Sequence, residues 1–592
     1  MRPARTVTGS LAALMALIIS WALPVPAQTR STDVSLRILV DKVLMEHNDW
    51  VLTEQHVAEV AAAGFNALSP RRGNDDEDTV RQVAQWCQAH DLVYLPWMRG
   101  TLSAEPAEGA TDRLVWADGR PQDLFAPNSD TLWSWLEERL SAHARLGLEQ
   151  ESLVGAFLDF ENYAPGRQGN AYPVSFDSQA LARFADAYRL DIPALPANQR
   201  STWLRTHGHL AAFEAFSIEQ WRLRCRELRR HLDQIDPTFR LCVYPSGGTR
   251  FIEEAVWKEW STLQAPLILA DASTYGRPAG LLPQPESLAF QQERLMRRHS
   301  RAAEVVENLT YLGGIDPVVR GADPEYSGKN AVMIDAAVDG YWVFYEGPDY
   351  EGEHKQYFAW FDWANDAITT GRPGAWREPR TTPDPWDAAR VEMHTTLPQV
   401  GVYGLKPAMV ELLDAAGEFE VHELHGMSPT YLKQFDVVVL QNFNVAGDRD
   451  HPFVVALRDF VTQGGGLMLA HDTAWFLASP IPEVASRGLP ENNVEATRHV
   501  VDTQLNIVVS HPATGVAEGT DFTTEFRDHM IFRPGPQGRV VVENRFGEPV
   551  YVVGEFGKGH VLFSGSYYGY TRPITGHERT VFLAGMRWLA TP

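Results

Sequence analysis

Cysteine is nearly absent: Cys87, Cys225 and Cys242 are the only three in 592 residues. Three thiols cannot build a disulfide framework. Buried free thiols are the expected state, with a Cys225–Cys242 bridge as the alternative. Long apolar runs are missing beyond the N-terminus, so no later segment has the length to span a bilayer. Positive charge is also scarce, with 52 Lys and Arg against 76 Asp and Glu and a formal net charge of −24. A surface of that sign repels nucleic acid and anionic membranes and favours neutral or cationic substrates.

The one long apolar run, Leu11 to Leu23, follows Arg2 and Arg5 and precedes the small-residue site Val25-Pro26-Ala27. These features predict a secretory signal peptide over residues 1–27, and with it a secreted or periplasmic protein. Its removal takes away two Arg and no acid, moving the charge from −24 to −26.

From about 31 to 372 the sequence alternates short apolar strands with amphipathic helices. Strands are expected at 36–45, 65–70, 92–97, 153–160, 239–245, 266–272, 305–313 and 340–346. Helical periodicity falls between them, including a long stretch around 197–235. Eight such alternations predict an α/β fold of the (β/α)8 TIM barrel type rather than an open sheet. Residues 373–393, rich in Pro and Gly at their start, read as a linker. A second α/β pattern occupies 394–592. Buried strands fall at Val400–Tyr403, Asp436–Leu440 and Leu467–Ala470, with helices between them, and a strand-rich part follows residue 497. This pattern predicts a doubly wound domain.

The expected fourth strand carries the candidate chemistry. In Phe157-Leu158-Asp159-Phe160-Glu161, strand alternation places Phe157, Asp159 and Glu161 on one face and Leu158 and Phe160 on the other. Two acids then leave the C-terminal end of a barrel strand, where barrel active sites gather. Buried acids are costly unless paired or used. Glu161 is the expected general acid/base, with Asp159 or Glu346 as the second carboxylate. The alternative for Asp159 is structural, as a cap on the loop or an ion pair that holds Arg99 in place. Arg99, Trp97, Tyr244, Asp271, Tyr275 and Trp342, at or after other strand ends, are the expected substrate contacts. Flat rings stack on sugar faces, while charged groups bind hydroxyls. Arg71 and Arg72 read equally as partners of the acids.

The strand Phe157-Leu158-Asp159-Phe160-Glu161 resembles the fourth-strand signature of (β/α)8 glycoside hydrolases of the chitinase-like families. That resemblance implies Glu161 as acid, Asp159 as the residue orienting the substrate's acetamido group, and Trp342 as the floor of a sugar subsite. Val154 and Phe157 stand where the signature has two earlier aspartates. The domain order is similar to that of family-42-type β-galactosidases. There the acid follows an Asn, here Phe160, and here no Glu stands at the mouth end of the seventh strand.

Asp436–Leu440, the run from Phe460 to Gly466, and Gly554–Gly565 resemble the ThuA-like branch of the glutamine-amidotransferase-like fold. True amidotransferases place a nucleophilic Cys after the Gly-rich turn and strand. This chain has His471 there and no cysteine beyond residue 242, which excludes thiol chemistry in this domain. His471, Asp472, His511 and His529 lack ligand spacing and read as hydrogen-bonded structural residues, so no metal or cofactor is expected. The second domain is expected to contact the barrel rim or mediate self-association. Together these readings predict a hydrolase acting on the glycosidic bonds of an oligo- or polysaccharide. The alternatives are a carbohydrate-binding barrel without catalysis and a sugar-modifying activity in the ThuA-like domain.

Overall fold

The computed structural model describes residues 35–99, 110–161, 174–277, 284–317, 322–383, 394–427, 429–443, 449, 451–489, 499–570 and 572–591. The expected signal peptide and the second half of the expected linker lie outside the described residues. Eight parallel strands form the first half of the fold. These are β1 Leu36–Asp41, β2 Ala67–Pro70, β3 in two pieces (Val93–Tyr94 and Trp97–Met98), β4 Gly155–Asp159, β5 Arg240–Tyr244, β6 Leu267–Asp271, β7 Leu309–Ile315 and β8 Gly340–Tyr345. Strand β3 is interrupted at Leu95-Pro96, where proline has no N–H to give a ladder. Its first piece pairs with β2 and its second with β4, while β8 pairs with β1, so the sheet closes on itself. This closure defines a TIM barrel.

Alternation sorts each strand's side chains. Ile38, Val40, Leu95, Trp97, Phe157, Cys242, Tyr244, Ile268, Ala270, Leu312 and Trp342 fill the barrel interior. Their neighbours Leu39, Tyr94, Met98, Leu158, Phe160, Val243, Leu269 and Val343 pack against the surrounding helices. Among those helices are Glu54–Ala62, Glu77–Ala89, Asp130–Gly147, Leu210–Ile235, Gln284–Ala303 and His354–Thr369. Side-chain caps start several of them: Thr53, Asp76 and Ser129 each accept from the N–H three residues on, which satisfies an otherwise orphaned donor. The insertion between β4 and β5 contributes Ser178–Tyr188 and Ala197–Thr206, with a small core of its own around Phe184, Leu204 and Phe213. The three cysteines are buried and unbridged.

The second half is a three-layer α/β/α domain. Its nine-stranded sheet contains β9 Gln399–Tyr403, β10 Glu420–Glu423, β11 Val437–Gln441, β12 Gly466–Ala470, β13 Gln504–Ile507, β14 Asp521–Thr523, β15 Arg539–Asn544, β16 Pro549–Phe556 and β17 Gly559–Ser564. The order is β10-β9-β11-β12-β17-β16-β15-β13-β14, parallel through β17 and antiparallel beyond. Val438, Leu440 and Leu469 pack on the helix Pro452–Thr462. Val437, Val439 and Met468 face Pro407–Ala416 and Gly576–Leu589 on the other side. Both halves belong to one compact unit, Leu36–Pro592. Phe290 of the barrel lies 4.6 Å from the His451 ring and packs on the second core. Among the described residues, no helix is long and apolar enough to cross a membrane.

Candidate active site at the barrel mouth

Three neighbouring strands converge on one arginine. Trp97 points into the barrel from β3, so Arg99, two residues on, leaves that strand on the same inward face. Phe157 and Asp159 do the same on β4. The parallel registers set Trp97 against Phe157 and Asp159 against Tyr244. The first pair stacks with centroids 4.7 Å apart. In the second, the Tyr244 hydroxyl donates to Glu161 Oε1 at 3.3 Å. Arg99 bridges both acids, with Nε 3.0 Å from Asp159 Oδ2 and Nη2 3.0 Å from Glu161 Oε2. The Glu161 N–H donates to Asp159 Oδ1 at 2.8 Å, which fixes the turn out of the strand.

The two acids differ in access. Asp159 is 2% exposed, while the Glu161 side chain is 12% exposed. Burial pushes the Asp159 carboxyl up to about 7; Arg99 and Arg71 pull it down, and the Glu161 charge adds to the rise. Arg71 lies 5.0 Å from the Trp97 ring centre and 4.5 Å from that of Phe344, within the fields of Asp159 and Glu346. Burial lowers the pKa of its guanidinium, and those two acids support its charge. Its Nη1 is buried with no hydrogen-bond partner among the described residues. Glu346 follows β8 and is 29% exposed, with one oxygen 3.3 Å from Lys42 Nζ.

The other expected contacts divide. Tyr275 is half-buried, 6.4 Å from Tyr244 and 5.4 Å from Trp342 between ring centres. Trp342 is fully buried, donates from Nε1 to the Asp271 carbonyl at 3.0 Å, and packs against Phe157 and Tyr244. The resemblance-based role of subsite floor therefore does not fit it, because no ring face is left for a sugar. Asp271 corrects a second expectation. It follows Leu267 and Leu269 on the outward face of β6, toward the helices. There its Oδ2 accepts from Arg298 at 2.5 Å, Tyr311 at 2.6 Å and Ser246 at 3.0 Å. Burial alone would raise its pKa, but Arg298 and hydrogen bonds from Ser273 and Tyr311 outweigh that and hold it down to about 2. Asp271 thus ties the helix layer to the barrel and is not a mouth residue. Phe344 and Lys42 belong to the mouth and were not anticipated. Counting alternate residues along β8 from Trp342 finds Phe344, whereas Lys42 carried no signal.

A second polar cluster sits at the carboxyl end of β12. His471 adopts a left-handed backbone with φ of 49°. Its Nε2 lies 3.0 Å from Asp528 Oδ1 and its Nδ1 3.5 Å from Asp472 Oδ2. Burial lowers the pKa of this imidazole, but Asp472 and Asp528 outweigh it and raise the value to about 9. His499, which sequence reasoning missed, stacks on His471 at 5.0 Å and places Nε2 2.8 Å from Asp472 Oδ1. His511 and His529 lie apart from this pair: His511 Nδ1 accepts from the Ala513 N–H, and His529 contacts the Asp502 carbonyl and Asn544.

The strand pairing defines a (β/α)8 barrel joined to a doubly wound α/β domain. No family model matches the chain, and no curated protein matches it. Among solved structures, it is similar to a β-galactosidase from Rahnella sp. R3, with 12% identity, 93% of this chain and 88% of that chain covered, and a TM-score of 0.41. An exo-β-1,4-mannosidase, Op5Man5, from Opitutaceae bacterium strain TAV5 shows 14% identity, 90% and 91% coverage and a TM-score of 0.32. A ThuA-like protein from Parabacteroides merdae ATCC 43184 shows 14% identity over 33% of this chain and 89% of its own, with a TM-score of 0.24. At these scores the likenesses decide nothing about activity.

Proposed function

We propose that this chain is a glycoside hydrolase cleaving the glycosidic bonds of an oligo- or polysaccharide at the barrel mouth. One observation carries the reading: Arg99 holds Asp159 and Glu161 together on the inward face of β4, with Glu161 the more accessible of the two. Glu161 is the general acid/base. Its neighbours are the Arg99 guanidinium and the Tyr244 hydroxyl, which hold its carboxyl in place. Asp159 is too enclosed to touch a substrate and serves to position Arg99 and the Glu161 backbone. Glu346 is the second carboxylate, acting as nucleophile or as base on water. Tyr275 and Phe344, both partly exposed, supply the apolar wall, backed by the buried rings of Trp97 and Tyr244, and Arg71 stands beside it as a cation for hydroxyls. Export through residues 1–27 belongs to the same proposal, since extracellular glycans are then the available substrates.

The test is release of reducing ends from a panel of neutral and cationic glycans by the wild type, with product anomers followed by NMR. Hydrolysis of at least one glycan supports the proposal. Glycan binding with no reducing ends released from any would make the barrel a binding module, with the Asp159–Arg99 pair purely structural.

A further inference from the structure

We infer that the second domain carries a divalent transition-metal site, with His471, Asp472 and His499 as ligands and Asp528 as the carboxylate that orients His471. The site is separate from the barrel mouth and does not depend on the proposed glycosidase activity. One ligand atom from each of the three residues lies within 4.8 Å of the other two. The Asp472 carboxylate faces both rings, with Oδ1 2.8 Å from His499 Nε2 and Oδ2 3.5 Å from His471 Nδ1. Ligand atoms at ~2.1 Å around a tetrahedral ion stand roughly 3.4 Å apart. Side-chain rotation on the order of an ångström therefore closes the set.

The state of His471 is the second, independent observation. Its Nε2 is engaged by Asp528 at 3.0 Å. Its Nδ1 is buried 3.5 Å from Asp472 Oδ2, with no hydrogen bond of good geometry among the described residues, on a residue only 2% exposed. A carboxylate on one imidazole nitrogen with the other nitrogen turned to a cation is the arrangement that orients metal-bound histidines. The left-handed backbone at His471 is a local cost that other residues must hold in place, and it sets the ring at the carboxyl end of a central parallel strand, where ligands of such sheets bind. Tyr567 adds a third feature. It is 4% exposed, its hydroxyl is buried without a hydrogen-bond partner among the described residues, and its ring centre lies 5.4 Å from that of His471. It is placed to bond a water or substrate oxygen held on an open coordination position. Two imidazoles and one carboxylate suit zinc(II), iron(II) or manganese(II) and leave such positions open.

The experiment uses the full chain, stripped with a chelator and dialysed against zinc chloride. Metal content is read by mass spectrometry and affinity by calorimetry, for the wild type, Asp472→Ala, His499→Ala and the control His511→Ala. The site predicts one zinc per chain in the wild type and in His511→Ala, and binding at least about tenfold weaker in the two ligand variants. Cobalt(II) loading of the wild type should give a visible absorption band from nitrogen and oxygen ligation, so the test stands even if a variant fails to fold. A wild type that retains no zinc and gives no cobalt band would overturn the proposal. Folded ligand variants that bind zinc as tightly as the wild type would overturn it equally.

Discussion

Asp159→Asn removes one buried charge while keeping the shape and an acceptor for the Glu161 N–H. The Asp159 carboxyl titrates near 7 when folded against an ordinary 3.8, chiefly because burial penalises its charged form. The folded chain therefore holds this proton more tightly than the unfolded chain does. The stability tied to that proton is complete below the unfolded pKa and is lost as pH rises through the folded one. At ~1.4 kcal/mol for each pH unit between the two values, the loss amounts to about 4 kcal/mol. Asparagine does not titrate, so stability of the variant minus that of the wild type should climb by about 4 kcal/mol between about pH 4 and about pH 8. Taking the difference cancels Asp41 and Glu578, whose carboxyls burial also raises, to about 7 and about 8. Urea unfolding followed by tryptophan fluorescence across that range measures it. A difference that stays flat, or a wild type that gains on the variant as pH rises, would refute the reasoning. It would mean that attraction to Arg99 outweighs burial and keeps Asp159 ionised throughout.

Three other outcomes follow from the same geometry. Arg99→Lys leaves one ammonium where two separate nitrogens now reach Asp159 and Glu161; kcat/KM on a cleaved glycan should fall about tenfold or more, and an unchanged value would show that the bridge is dispensable. At Gly314 an added Cβ would stand 2.5 Å from the Asp271 carbonyl oxygen, 2.5 Å from the Tyr275 ring and 2.9 Å from Trp342 Nε1; Gly314→Ala should cost about 1–3 kcal/mol in urea unfolding, and wild-type stability would contradict the crowding. Phe160 is buried on the outer face of β4 with its ring centre 5.3 Å from that of Trp221 and 6.0 Å from that of Trp260; Phe160→Ala should lose about 3–5 kcal/mol, whereas a loss below about 1 kcal/mol would mean that the neighbouring rings close the cavity.

The barrel was legible because each strand is a short apolar run between amphipathic helices. The inward direction of Asp159 followed from counting alternate residues from Phe157. The same counting along Leu267, Leu269 and Asp271 points Asp271 outward, but its partner Arg298 comes from the helix Gln284–Ala303, and nothing local in the sequence links them. Arg99 and Glu161 lie 62 positions apart, so their contact depends on closure of the barrel and not on any motif. The hairpin of Arg113–Val115 with Pro121–Phe125 was absent from the expected elements. Its Asp118-Gly119 turn, with Gly119 at φ of 86°, is a local signal that could have found it. His499 reaches His471 through a short antiparallel pair, His499–Val500 with His529–Met530, which has no periodic signature. Strand identity is local information, and the partners of polar groups at strand ends are not.

Delivery of a proton from Glu161 to the departing sugar oxygen is measured by comparing Glu161→Gln with the wild type on two leaving groups. An unactivated glycan needs that proton, whereas a dinitrophenyl glycoside of the same sugar departs without one. The expected result is a fall in kcat of about 10²–10⁴ on the glycan and a far smaller fall on the dinitrophenyl glycoside, with sugar binding retained. Equal losses on both substrates, or full activity on the glycan, would contradict it.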